Sequence, residues 1–200
     1  MKIFTSWCLG FAFLLLAFPV AAQEDPGFWD YEALFVLYAD EVIEIPQETG
    51  PPLRRLNLPG GIVIRDVGAP ENRRAVGIDE SGAGAVGCMM NILASIGAHV
   101  AEYPEYATVA ETERLNTSIV RVSTFIADNL QPPRAQQEVL EFYREGIEVH
   151  RLKLQKQTTE RGEIGPDGQL LIRWVLSEEF RAVLGEILAV PRLPVSSPYL

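Results

Sequence analysis

Gly84-Ala85-Val86-Gly87-Cys88-Met89-Met90-Asn91-Ile92-Leu93-Ala94-Ser95-Ile96-Gly97-Ala98-His99-Val100-Ala101 contains no Asp, Glu, Lys or Arg. Met89, Ile92, Leu93, Ile96 and Val100 recur at intervals of three and four, which places them on one face of a helix. Gly87, Asn91, Ala94 and Ala98 fall on the opposite face. A helix apolar on one side and small on the other belongs in a core, where a neighbour packs close to it. A membrane span is the competing reading of an uncharged stretch. Gly82, Gly84, Gly87 and Gly97, the polar Asn91, Ser95 and His99, acids at both ends and the lack of a basic anchor oppose it. The flanking segments must therefore supply the elements that cover a buried helix.

Downstream, Pro104 suits the first turn of a new helix. Leu115, Ile119, Val122, Ile126 and Leu130 hold the helical period as far as Pro132-Pro133. A third helix from Arg134 carries Val139, Tyr143, Ile147, His150 and Leu154, and Gly146 weakens it by about 1 kcal/mol relative to Ala. Its continuation, 151–161, is the most basic stretch of the chain. Gly165-Pro166-Asp167-Gly168 reads as a turn, and Leu170 to Leu176 as a strand. Ser177 caps a short helix from Glu178 to Ala189, with two acids in its first turn where the dipole favours them. Residues 191–200 read as a tail, in which Pro191-Arg192-Leu193-Pro194 has the P-x-x-P form of an extended docking segment or a frayed terminus.

Upstream, Ile62 to Val67 and Arg73 to Ile78 read as the two strands of a hairpin. Four prolines between Pro46 and Pro59, then Gly60-Gly61, mark a linker whose narrowest bounds are 51–60. Before it, residues 23–50 hold eight acids and no Lys or Arg. Tyr31, Leu34, Phe35, Tyr38, Val42 and Ile45 share one face if this arm is a helix; Leu34 to Tyr38 reads equally well as a buried strand. On a helix, Asp40, Glu44 and Glu48 would repel along one face. The arm therefore calls for a cationic surface or plain water opposite it.

Residues 1–22 have the form of a cleavable secretory signal. Lys2 gives a positive start, Leu9 to Phe18 an apolar core too short for a span, and Val20-Ala21-Ala22 a cleavage site before Gln23. The expectation is an exported, periplasmic or secreted protein with one globular domain at 61–190. No Arg-Arg pair precedes the apolar run, so export of a prefolded, cofactor-loaded chain is not indicated. The net charge is −10, and loss of Lys2 makes it one unit more negative. Such a balance repels nucleic acid and anionic membrane and permits a basic protein partner. Of two cysteines only Cys88 would remain, so no internal disulfide staples the fold. In its apolar setting it reads as a small buried hydrophobe.

Few motifs point to chemistry. Gly82-Ala83-Gly84-Ala85-Val86-Gly87 matches the G-x-G-x-x-G of dinucleotide sites, with Glu102 at the distance of a ribose-binding acid. The rest of the chain does not alternate strand and helix, so close packing of two backbones is the simpler meaning of these glycines, and no cofactor is expected. Cys88 and His99 share a helix face but stand ~16 Å apart at ~1.5 Å per residue. No metal site is expected from them, and His150 would have to approach from another helix. Neither G-x-S-x-G nor S-x-x-K occurs. Glu80-Ser81 followed by Gly84-Ala85-Val86-Gly87-Cys88-Met89-Met90 resembles the catalytic segment of soluble lytic transglycosylases, a Glu-Ser pair followed by G-A-x-G-L-M-Q. The resemblance implies a wall-cleaving enzyme with Glu80 as general acid in an apolar cleft. The two elements lie closer together here, Cys88 and Met90 replace the family's Leu and Gln, and the tyrosine–asparagine–glycine loop is missing. A solvated turn before a core helix also explains Glu80 and Ser81.

The fold expected is α+β and helix-rich: three long helices and a short carboxy-terminal helix on a small antiparallel sheet. The leading functional expectation is a non-enzymatic envelope or secreted protein that binds a macromolecule, with the arm at 28–48 docked on residues 151–161 or on a basic partner. A wall-cleaving enzyme using Glu80 is the rival. A small-ligand binder, with a cavity between the 84–101 helix and the sheet, is the third.

Overall fold

The computed structural model describes the backbone of residues 29–161 and 166–196 and the side chains of 29–156 and 168–196; the expected signal at 1–22 lies outside them. The fold is α+β. Helix α1 (Tyr31–Leu37) precedes a four-stranded antiparallel meander, β1 (Ile43–Ile45), β2 (Leu53–Leu58), β3 (Ile62–Val67) and β4 (Arg74–Asp79), whose spatial order is the chain order. Five helices follow: α2 (Val86–Glu102), α3 (Val109–Asn129), α4 (Gln136–Arg161), α5 (Pro166–Val175) and α6 (Glu178–Ile187). No helix among the described residues is long and apolar enough to cross a membrane.

The uncharged segment is the centre of the bundle. From α2, Met90, Leu93 and Ile96 pack with Val122 and Ile126 of α3, Val139 and Tyr143 of α4, Ile172 of α5, and Phe180 and Leu184 of α6. Thr108 caps α3 through a reciprocal box: its hydroxyl accepts from the Glu111 N–H at 3.3 Å while its own N–H donates to the Glu111 carboxylate at 2.7 Å. Two otherwise unpaired donors of the first turn are thereby satisfied. Ser177 caps α6 as its sequence implies, accepting from the Phe180 N–H at 3.2 Å.

Helices α2 and α4 run side by side in the same direction, with Tyr143 donating to the Leu93 carbonyl at 3.1 Å and Gln155 reaching the Glu102 carboxylate. Burial pushes the Tyr143 hydroxyl well above its ordinary pKa. The same pairing brings His99 near His150. Burial lowers both imidazoles below their usual 6.5, with Lys153 and His99 adding like charge at His150. A backbone bond with the Ser95 carbonyl, 2.9 Å from His99 Nδ1, pulls His99 the other way and is the weaker influence. A depressed folded pKa means that the unfolded chain binds protons first. The stability these histidines contribute is therefore complete above about pH 7 and lost as pH falls through 6.5 and below. Replacing both by Gln is expected to flatten the stability profile between pH 7 and 5 in urea titrations; an unchanged slope would count against the pairing.

Several expectations need correction. Residues 170–176 form no strand; they complete α5 and its cap. Ile172, Val175 and Leu176 are buried at helical spacing in the cluster formed by the other helices. Pro166 opens this helix, so the turn signal marks a helix start. Residues 51–60 are no plain linker, because β2 occupies 53–58. Gly60 and Gly61, at φ 77° and 78°, make the tight return to β3 that other residues would enter only with strain. Pro104 heads a 3-10 turn, and α3 begins after Thr108.

The acidic arm is not one helix. It is α1, a 3-10 turn at Ala39–Glu41 and edge strand β1, so Asp40, Glu44 and Glu48 share no helix face. The buried side of the arm packs on the sheet. Tyr31, Leu34 and Phe35 are buried against Leu56, Ile62 and Ile64 of the sheet. Arg54 ties Glu32 at 2.9 Å to Asp66 at 2.8 Å and lies over the Phe35 ring. Burial alone would raise the Asp66 carboxyl, but the Arg54 side chain and N–H bind the charged form and hold it below the usual range.

Candidate functional site

Glu80 and Ser81 sit where β4 leaves the sheet. The Glu80 N–H donates to the Gly61 carbonyl at 2.7 Å, and its half-exposed carboxylate meets Arg55 of β2 at 3.4 Å. That ion pair spans β3, and Val63 and Ile78, register partners on the same face, are 4 % and 2 % exposed. A general acid needs surroundings that favour its neutral form. Here the carboxylate stands beside an arginine and within reach of water, where the resemblance implied an apolar cleft. The Ser81 hydroxyl donates to Asp79 and its N–H to the same oxygen at 2.9 Å. Ser81 thus closes a turn.

Asp79, between them and the sheet, has the most elaborate setting. It is buried, and Arg192 donates to it at 2.7 Å. The rest of that guanidinium donates to the carbonyls of Ile187 at 2.8 Å, Val190 at 3.0 Å and Gly84 at 2.7 Å. Neither side chain of the pair is more than 1 % exposed. Arg192 was legible only as part of a tail, yet 191–196 is an inserted segment. The Val195 carbonyl accepts from the Gly87 N–H at 2.9 Å, and the Trp29 indole donates to the Pro194 carbonyl.

Two glycines make room for this insertion. A Cβ on Gly77 would lie 2.6 Å from the Val195 side chain, and one on Gly87 2.7 Å from the Val195 carbonyl. Of the motif's glycines, Gly87 is therefore spent on backbone approach, while Gly82 and Gly84 stand at φ 78° and 102° with no atom nearer than 3.8 Å to an added Cβ. Val195, fully buried, lies where a phosphate would meet the amino terminus of α2, and it fills space between α2 and the sheet in which a ligand cavity was one expectation.

Cys88 is half-buried, without a disulfide. His99 and His150 come together, but among the described residues no three of His, Cys, Asp and Glu gather as metal ligands would. The arm presents the most distinctive exposed patch. Val36 and Leu37 at the end of α1 are 80 % and 63 % exposed, and Ile43 and Ile45 on β1 are 49 % and 42 % exposed. Asp40, Glu41, Glu44 and Glu48 are interleaved with them, all exposed. Sequence spacing located these residues but could not say which side faces out. On the other side Arg54 pairs with Glu32 and lies over the Phe35 ring.

Compared with protein-family profiles, curated proteins and solved structures, the chain matches none.

Proposed function

We propose that this is an exported, non-enzymatic accessory protein of the cell envelope that binds a basic macromolecular partner through the outward side of the arm at 28–48. The observation that carries the reading is the patch from Val36 to Glu48. Along it four large apolar side chains are exposed, Val36 and Leu37 at the end of α1 and Ile43 and Ile45 on the sheet face opposite to Glu44, and its four carboxylates hold no ion pair among the described residues. Exposed apolar groups beside unpaired carboxylates mark an interaction surface. Acids with no internal cation specify a cationic partner and speed its approach. The inward side of the same segment is fixed to the sheet by Tyr31, Leu34 and Phe35, so the patch is presented preformed. The signal-like residues 1–22 support the compartment.

Asp40→Lys/Glu41→Lys/Glu44→Lys is expected to leave the thermal melt unchanged, since the three side chains are exposed. It should weaken binding of a labelled peptide of alternating Lys and Val by at least ~10-fold, the equivalent of ~1.4 kcal/mol. Wild-type affinity should itself fall steeply with added salt. Fluorescence anisotropy reads both. Equal affinity of variant and wild type, or no binding by either, would remove the arm from consideration.

A further inference from the structure

The strand register sorts the sheet into two faces. Leu56, Ile62 and Ile64 face α1, while Ile43, Ile45, Leu53, Arg55, Arg65 and Arg74 fall on the other face. In a chain of net charge −10, three arginines have been gathered on this outer face. Arg55 and Arg65 are directly opposite in the β2–β3 ladder, an arrangement that costs stability unless a counter-charge is supplied. Glu80 supplies one to Arg55. Arg65 and Arg74 hold no carboxylate among the described residues, and the Arg65 Nε is buried without a hydrogen-bond partner. The outer face is thus cationic and apolar, and the neighbouring arm patch is acidic and apolar. They meet at β1, with Ile43 and Ile45 on the arginine side and Glu44 on the other.

We infer that the basic partner of the arm is a second copy of this chain, the acidic patch of each copy seating on the arginine face of the other. This rests on the reading above and names its partner. A two-fold axis beside β1 uses each patch once per copy, so the contact closes as a dimer and does not run on as a fibre. It brings Asp40 and Glu41 to the unpaired Arg65 and Arg74, and covers Val36, Leu37, Ile43 and Ile45. Direct edge-to-edge pairing of β1 is the poorer geometry. The strand has three residues, Pro46 follows it, and centred antiparallel pairing would set Glu44 against Glu44 of the second copy.

Sedimentation velocity on the purified protein at low and physiological salt tests this through a charge exchange. Wild type is expected to be a dimer whose dissociation increases with salt. Asp40→Lys/Glu41→Lys and Arg65→Glu/Arg74→Glu should each be monomeric, and an equimolar mixture of the two should form a heterodimer. Arg74→Glu alone, at an exposed position, serves if the double arginine variant melts early, with dimerisation weakened at least ~10-fold. Wild type that stays monomeric, variants that both still dimerise, or a mixture that fails to associate would each overturn the inference. A monomeric wild type that still binds the Lys–Val peptide leaves the basic-partner reading standing. Loss of peptide binding removes that reading as well.

Discussion

A chain ending at Val190 is expected to lose cooperative unfolding. The segment it lacks holds Arg192, Leu193 and Val195, all buried. Without Arg192, Asp79 remains as an uncompensated charge in the interior, at a cost of about 3–5 kcal/mol. Leu193 and Val195 each withdraw about 1.5–3 kcal/mol of apolar burial. The Gly87 N–H and the Trp29 indole lose their acceptors too. Together these reach much of the ~5–15 kcal/mol that holds an ordinary domain. Urea titration followed by far-ultraviolet circular dichroism should show a broad, early transition. A sharp transition at the wild-type midpoint would mean that 191–196 is dispensable.

Arg192→Ala isolates the charge from the rest. The expected loss is about 3–5 kcal/mol, and for a chain of this size that lowers Tm by about 10 °C. Arg192→Lys should fall between the variant and wild type. An ammonium lacks the planar fork with which Arg192 serves one carboxylate and three carbonyls together. Asp79→Leu/Arg192→Met should recover part of the stability, since no charge is then stranded, but not all, because the carbonyls of Gly84, Ile187 and Val190 lose a donor. Calorimetric melts of the four proteins decide it. Arg192→Ala melting like wild type would contradict the pairing.

Where the sequence was informative, the reason was periodicity. Residues 84–101, 115–130 and 139–154 repeat at the helical interval, and 62–67 with 73–78 flank a turn, so α2, α3, α4 and the β3–β4 hairpin were legible, β4 lying one residue later than its reading. Leu170 to Leu176 misled because a short apolar run suits a strand and a helix alike until a neighbour is known. β2 was hidden by its flanking prolines, although Leu56-Asn57-Leu58 ahead of Gly60-Gly61 carries the alternation of a strand entering a tight return. The arm's aromatic face was visible and its acids were countable. Arg54 and Asp66, which fasten it to the sheet, were not, since they stand twelve residues apart and meet across a ladder. Arg192 was missed for the same reason. Its partner is 113 positions earlier, and the one available hint was an aspartate at the close of an apolar strand.

The wedging of 192–195 between Gly77 and Gly87 also sets a clock on folding. The amino-terminal sheet cannot finish closing over α1 until a stretch synthesised more than a hundred positions later has arrived, so nascent chain leaving the ribosome stays open. Under the proposed export, such lateness suits passage through a narrow translocation channel, because the segment that locks the interior is inserted only on the far side.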